Sequence, residues 1–83
     1  MSISDRWTEH EDSLSVELEC GDFMEAVDLI NQIAELAEAQ NHHPDICLHG
    51  YRNLDVRLQT HDSGGLSPKD EKLAQAIDEL LDE

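Results

Sequence analysis

The change of period at Gly21-Asp22 constrains this chain more than any other feature. Before it, "SLSVELEC" (13–20) alternates: Leu14, Val16, Leu18 and Cys20 share one face, and Ser13, Ser15, Glu17 and Glu19 share the other. A period of two describes a half-buried strand. After it, Phe23, Ala26, Val27, Ile30, Ile33, Ala34 and Ala37 recur at spacings of three and four, with Glu25, Asp28, Gln32 and Glu35 left to face water. That is the apolar stripe of a helix. Asp22 is its cap residue and Asn41 a left-handed terminator, while Pro44 pushes His43 toward extended geometry, so the helix ends before it.

The remaining segments complete the pattern. "DRWTEHE" supplies a partner strand anchored by Trp7. Segments 46–51 and 54–60 read as a hairpin with its turn near Arg52-Asn53. In its second strand Leu54, Val56 and Leu58 face the core; Asn53, Asp55, Arg57, Gln59 and, in the same register, His61 face away. The glycines of "HDSGG" mark a loop. Ser67, Pro68 and Asp70 are the cap, first-turn proline and capping-box acid of a last helix, whose stripe is Leu73, Ala74, Ile77, Leu80 and Leu81. The order β-β-α-β-β-α predicts an α+β fold: a two-layer sandwich of one four-stranded antiparallel sheet with two helices on one face, a single domain over 1–83.

Charge narrows what such a domain can do. Twenty acidic residues against five basic give a net charge of −15. Phosphate backbones and anionic membrane surfaces both require clustered Lys and Arg, so nucleic acid and membrane are excluded as direct partners. Acids spread along the chain, with Lys69 and Lys72 as the only lysines, suit a salt-rich cytoplasm as well as an acidic mesophile. No apolar run approaches a membrane span and no signal segment opens the chain, so a cytoplasmic location is expected. Cys20 and Cys47 form no CxxC pair and read as buried free thiols, with a disulfide staple as the alternative. With 39% apolar and 4% aromatic residues the core is thin, which favours self-association.

Chemistry centres on the histidines. His10, among acids, and His49, in phase with Cys47, read as surface residues. His42 and His43 are adjacent at a helix-to-strand junction, and His61 lies where a strand enters a glycine loop; if the hairpin returns beside the junction, the three converge. Imidazole gives or takes a proton near neutrality, so acid–base work is one reading. Zinc held by three histidines and a carboxylate is a second, although neither HExxH nor CxxC spacing is present. Structural or surface roles are the third, and the residues alone leave all three open.

Spacing then adds a resemblance. "EAQNHHPDI", Tyr51, "THDSGGLSPKD" and "LAQAID" resemble the pterin-4a-carbinolamine dehydratases, whose signature falls here on Glu38, His42, His43, Pro44, Tyr51, His61 and Asp70. The resemblance runs from Trp7 through the last helix. It implies elimination of water from a 4a-hydroxytetrahydropterin to quinonoid dihydropterin, without metal or cofactor, in a homodimer or homotetramer. His42, His43 and His61 are then the catalytic set. Glu38, Pro44, Asp45, Tyr51 and Asp70 are candidates for the pterin side of the site, with a capping role competing at Asp70 and packing at Tyr51. Many members carry a further helix before the tryptophan, and the acidic surface also departs from them, which bears on assembly and ionic environment more than on chemistry. The same resemblance allows a non-catalytic role as a dimerisation or assembly cofactor, or a pterin other than biopterin.

Overall fold

A computed structural model of the chain describes residues 3–10, 13–59 and 67–82. Strands β1 (Thr8–His10) and β2 (Ser13–Glu19) precede helix α1 (Phe23–Gln40); strands β3 (Asp45–His49) and β4 (Asn53–Leu58) precede helix α2 (Pro68–Leu81). All pairings are antiparallel, and the sheet order is β1-β2-β4-β3. The expected β-β-α-β-β-α sandwich is therefore the fold.

Register explains how one sheet acquires a dry face and a wet one. Leu14 pairs with Leu58, Val16 with Val56, and Leu18 with Leu54, while Ile46 and Leu48 continue the Val56 and Leu54 rows onto β3. These side chains meet Ile33 and Ala37 of α1 and Leu73, Ala74 and Ile77 of α2 in one core. Fully burying an aliphatic side chain contributes about 1.5–3 kcal/mol, so this face holds the domain together. The opposite face carries Ser15, Glu17, Glu19, Asn53, Asp55, Arg57, Asp45, Cys47 and His49.

Three expectations need correction. The hairpin turns earlier than Arg52-Asn53: Gly50 and Tyr51 both take positive φ (56° and 55°), and His49 pairs with Asn53. Glycine sets this position, because a Cβ on Gly50 would lie 2.7 Å from Asn53 Nδ2 on a backbone that disfavours side chains. Cys20 is buried as expected, but Cys47 is exposed, since it sits on the wet face of β3. On α1 the core side is Ala26, Leu29, Ile30, Ile33, Leu36 and Ala37, whereas Phe23 and Ala34 are exposed. The buried side of the helix is centred on Ile33 and the small Ala26 and Ala37, each at most 2% exposed.

One buried acid was not anticipated. Asp78 accepts hydrogen bonds from Ser4 N (2.8 Å), Ser4 Oγ (2.8 Å) and Trp7 Nε1 (2.9 Å), with Arg6 3.6 Å away. It ties the start of the chain to the last helix. Burial pushes its carboxyl upward, but the Ser4 and Trp7 hydrogen bonds and the Arg6 charge outweigh burial and hold it below its ordinary value.

Candidate active site

Helix α1 ends in a way that aims two consecutive side chains at different neighbours. Asn41 is left-handed (φ 50°, ψ 44°). Its N–H donates to Glu38 O at 3.2 Å, and the N–H of His42 donates to Ala37 O at 3.0 Å. Together these bonds form a Schellman closure, so the backbone of His42 is itself part of the helix terminus. Pro44 follows, half-buried, and β3 begins at Asp45.

His42 turns toward α2. Its Nε2 lies 2.6 Å from Oδ1 of Asp70, and the two side chains are 10% and 0% exposed. Asp70 also completes the capping box of α2: its Oδ2 accepts from Ser67 N at 3.0 Å, while Lys69 N donates to Ser67 Oγ at 3.3 Å. Asp70 thus makes the expected cap and, besides it, a contact to the His42 imidazole. His43 turns the other way, its Nε2 bonded to Oε2 of Glu38 on the last turn of α1. Both members of this second pair are exposed, at 60% and 74%. An ionised carboxylate can only accept, so opposite ionised Asp70 and Glu38 the hydrogen of each pair sits on Nε2.

The remaining candidates divide. Asp45 is exposed on the wet face, its Cα opposite that of Arg57 on β4. With Ile46, Cys47, Asp55 and Arg57 it lines an open cleft of about 260 Å³. Tyr51 does not join the group: it stands at the hairpin tip, 62% exposed, with the Arg52 guanidinium 5.9 Å from its ring centre. The five-residue β3 separates it from His43 by roughly 15 Å at the usual strand rise. β4 runs back beside the start of β3, Arg57 pairing with Asp45. The expected contribution of His61 lies outside the described residues.

Other reactive groups sit elsewhere. His49 pairs with Asp55 on the wet face at 3.1 Å, and His10 is exposed on β1. Burial, with Glu25 and Asp22 nearby, pushes the Cys20 thiol up, so it is a packing group rather than a nucleophile. Gln40, two residues before His42, has a buried Oε1 with no hydrogen-bond partner among the described residues. Sequence reasoning missed that acceptor and the His42–Asp70 contact; for the latter the signal was a capping acid following a histidine-bearing loop.

Comparison with known proteins gives this geometry a family. A sequence profile described as pterin 4 alpha carbinolamine dehydratase matches residues 1–80. A protein of Sulfurisphaera tokodaii is 48% identical over 60 residues, covering 72% of this chain and 63% of the relative. One of Aquifex aeolicus is 39% identical over 77 residues, covering 93% of this chain and 77% of the relative. Both are provisionally named pterin-4-alpha-carbinolamine dehydratases. The match thus spans less than two thirds of the length of the first. The crystal structure of a transcriptional coactivator/pterin dehydratase from Brucella melitensis superposes with a TM-score of 0.84 at 28% identity, covering 92% of this chain and 82% of that one. A pterin dehydratase-like protein identified as a RuBisCO assembly factor in the alpha-carboxysome shares the fold, with a TM-score of 0.69 at 20% identity over 90% of this chain and 86% of that one. Profile, relatives and fold agree that the chain belongs to the pterin 4 alpha carbinolamine dehydratase family.

Proposed function

We propose that the protein dehydrates a 4a-hydroxytetrahydropterin to quinonoid dihydropterin and water, serving tetrahydropterin recycling. The observation that carries the reading is the pair of adjacent imidazoles, each held by its own carboxylate at one helix–strand junction. The reaction breaks the C4a–O bond and the N5–H bond and forms the C4a=N5 double bond. The hydroxyl leaves as water once it has received a proton, and N5 gives its proton to a base. One acid and one base therefore suffice, each contributing about 10²–10⁴-fold.

In this reading His43 is the principal acid–base group at the hydroxyl, because Pro44 limits its backbone and its exposure leaves it open to substrate. His61 takes the second proton transfer, and His42 binds and orients the pterin. Glu38 tethers the His43 ring, and Asp45 supplies an acceptor for the pterin amide or amino edge. The enzyme works as a homodimer or homotetramer.

The test is carbinolamine dehydration by the purified protein, followed against the spontaneous reaction over a range of salt. Acceleration is expected and should survive chelator treatment. No acceleration at any salt would move the reading to a partner-binding role on the same fold. The Brucella melitensis neighbour, described as both coactivator and dehydratase, and the exposed Phe23 and Met24 favour that second reading.

A further inference from the structure

Among the described residues, each oxygen of Asp70 serves a different contact. Oδ2 takes the Ser67 N–H and so closes the cap of α2; Oδ1 takes His42 Nε2 at 2.6 Å. Capping alone needs only the first of these. Asp70 is fully buried and His42 nearly so, which keeps water from substituting for either partner. The backbone N–H of Ser67 fixes the angle of the carboxylate, while the backbone N–H of His42 is fixed by the α1 terminus. The contact therefore joins a carboxylate and a main-chain position that are each held by a separate hydrogen bond. With the hydrogen held on Nε2, Nδ1 is the ring atom of neutral His42 that keeps a lone pair.

We infer that Asp70 is a positioning residue that locks His42 in the Nε2–H tautomer, so that this imidazole meets its ligand as a hydrogen-bond acceptor at Nδ1. The complementary ligand group is an N–H donor, and the ring of a tetrahydropterin carries such groups. The ligand half of this inference rests on the dehydratase reading; the tautomer half does not. The first turn of α2 thereby sets the polarity of a side chain on the α1–β3 junction.

Nitrogen-15 NMR of histidine-labelled full chain tests it directly. The wild-type protein is expected to show the unprotonated nitrogen of His42 at Nδ1. In Asp70→Asn the amide oxygen still accepts the Ser67 N–H, but the amide nitrogen now donates toward His42. The expected result is inversion to the Nδ1–H tautomer with α2 still capped, and a fall in dehydration kcat/KM on the order of 10²-fold. Ser67→Ala removes only the hydroxyl cap; it is expected to weaken the helix and leave the tautomer unchanged. A wild-type Nδ1–H tautomer, or retention of Nε2–H in Asp70→Asn, overturns the inference. Should Asp70→Asn fail to fold, the wild-type spectrum decides in the same way. Tautomer inversion in a protein whose wild type does not accelerate dehydration would leave Asp70 in place and remove the pterin reading instead.

Discussion

His42 and His43 are neighbours of one residue type, each bonded through Nε2 to a carboxylate, and their surroundings are opposite. The first pair is buried between two helix termini; the second lies in solvent on the last turn of α1. The difference teaches that the fold, not the histidine dipeptide, assigns the roles. A left-handed residue at Asn41 and a proline at Pro44 bracket the pair and send consecutive side chains to different elements. The buried contact gives a fixed orientation. The exposed contact, held in high dielectric, leaves a ring that can exchange partners with substrate.

The sharpest way to break this contrast is to remove each ring in turn. His43→Ala is expected to lower dehydration kcat by about 10²–10⁴-fold while leaving the urea midpoint near wild type. An equal loss of stability would show that the exposed pair is structural. The buried pair should behave oppositely. Asp70→Ala removes a cap and strands His42, so it is expected to cost about 3–5 kcal/mol in urea unfolding. A cost below about 1 kcal/mol, the range of exposed ion pairs, would erase the distinction.

How much of this was legible beforehand follows from range. The β2-to-α1 switch, the Ser67–Pro68–Asp70 cap and the Asn41 terminator depend on neighbours within a few residues, and the sequence shows them directly. The His42–Asp70 contact spans 28 positions and forms only because α1 and α2 pack side by side. Tyr51 shows the reverse case. It has the right spacing for the site, but Gly50 moves the turn and leaves it at the far end of β3. Cys47 alternates with apolar residues, yet alternation cannot say which face of an edge strand is covered. Asp78 sits in phase with Ala74 and Leu81 on the α2 stripe, a polar residue in an apolar position that asks for partners.

Asp78 provides the control for Asp70, a second buried carboxylate of α2 that lies away from the junction. Asp78→Asn leaves one acceptor where Ser4 and Trp7 present several donors, and is expected to cost about 2–3 kcal/mol near neutrality without changing the His42 tautomer. Its pH signature has a definite sign. The folded carboxyl lies below its ordinary 3.8, so between those values the unfolded chain binds more protons. The stabilisation is therefore complete above 3.8 and is lost as pH falls through the folded value. Wild type should lose more stability than Asp78→Asn as pH falls below about 4. Parallel curves for the two proteins would mean that Asp78 does not carry this part of the acid response.

The smallest effect belongs to Glu38, and it bears most directly on what the exposed pair is for. Glu38→Gln removes the carboxylate while keeping an oxygen that still accepts from His43. Because both side chains are more than half exposed, stability is expected to change by no more than about 0.5 kcal/mol. If Glu38 only tethers the ring, turnover should fall by less than about tenfold, well short of the loss from His43→Ala. A fall matching His43→Ala would instead make the carboxylate part of the proton-transfer machinery, and the exposed pair, like the buried one, would act as a unit.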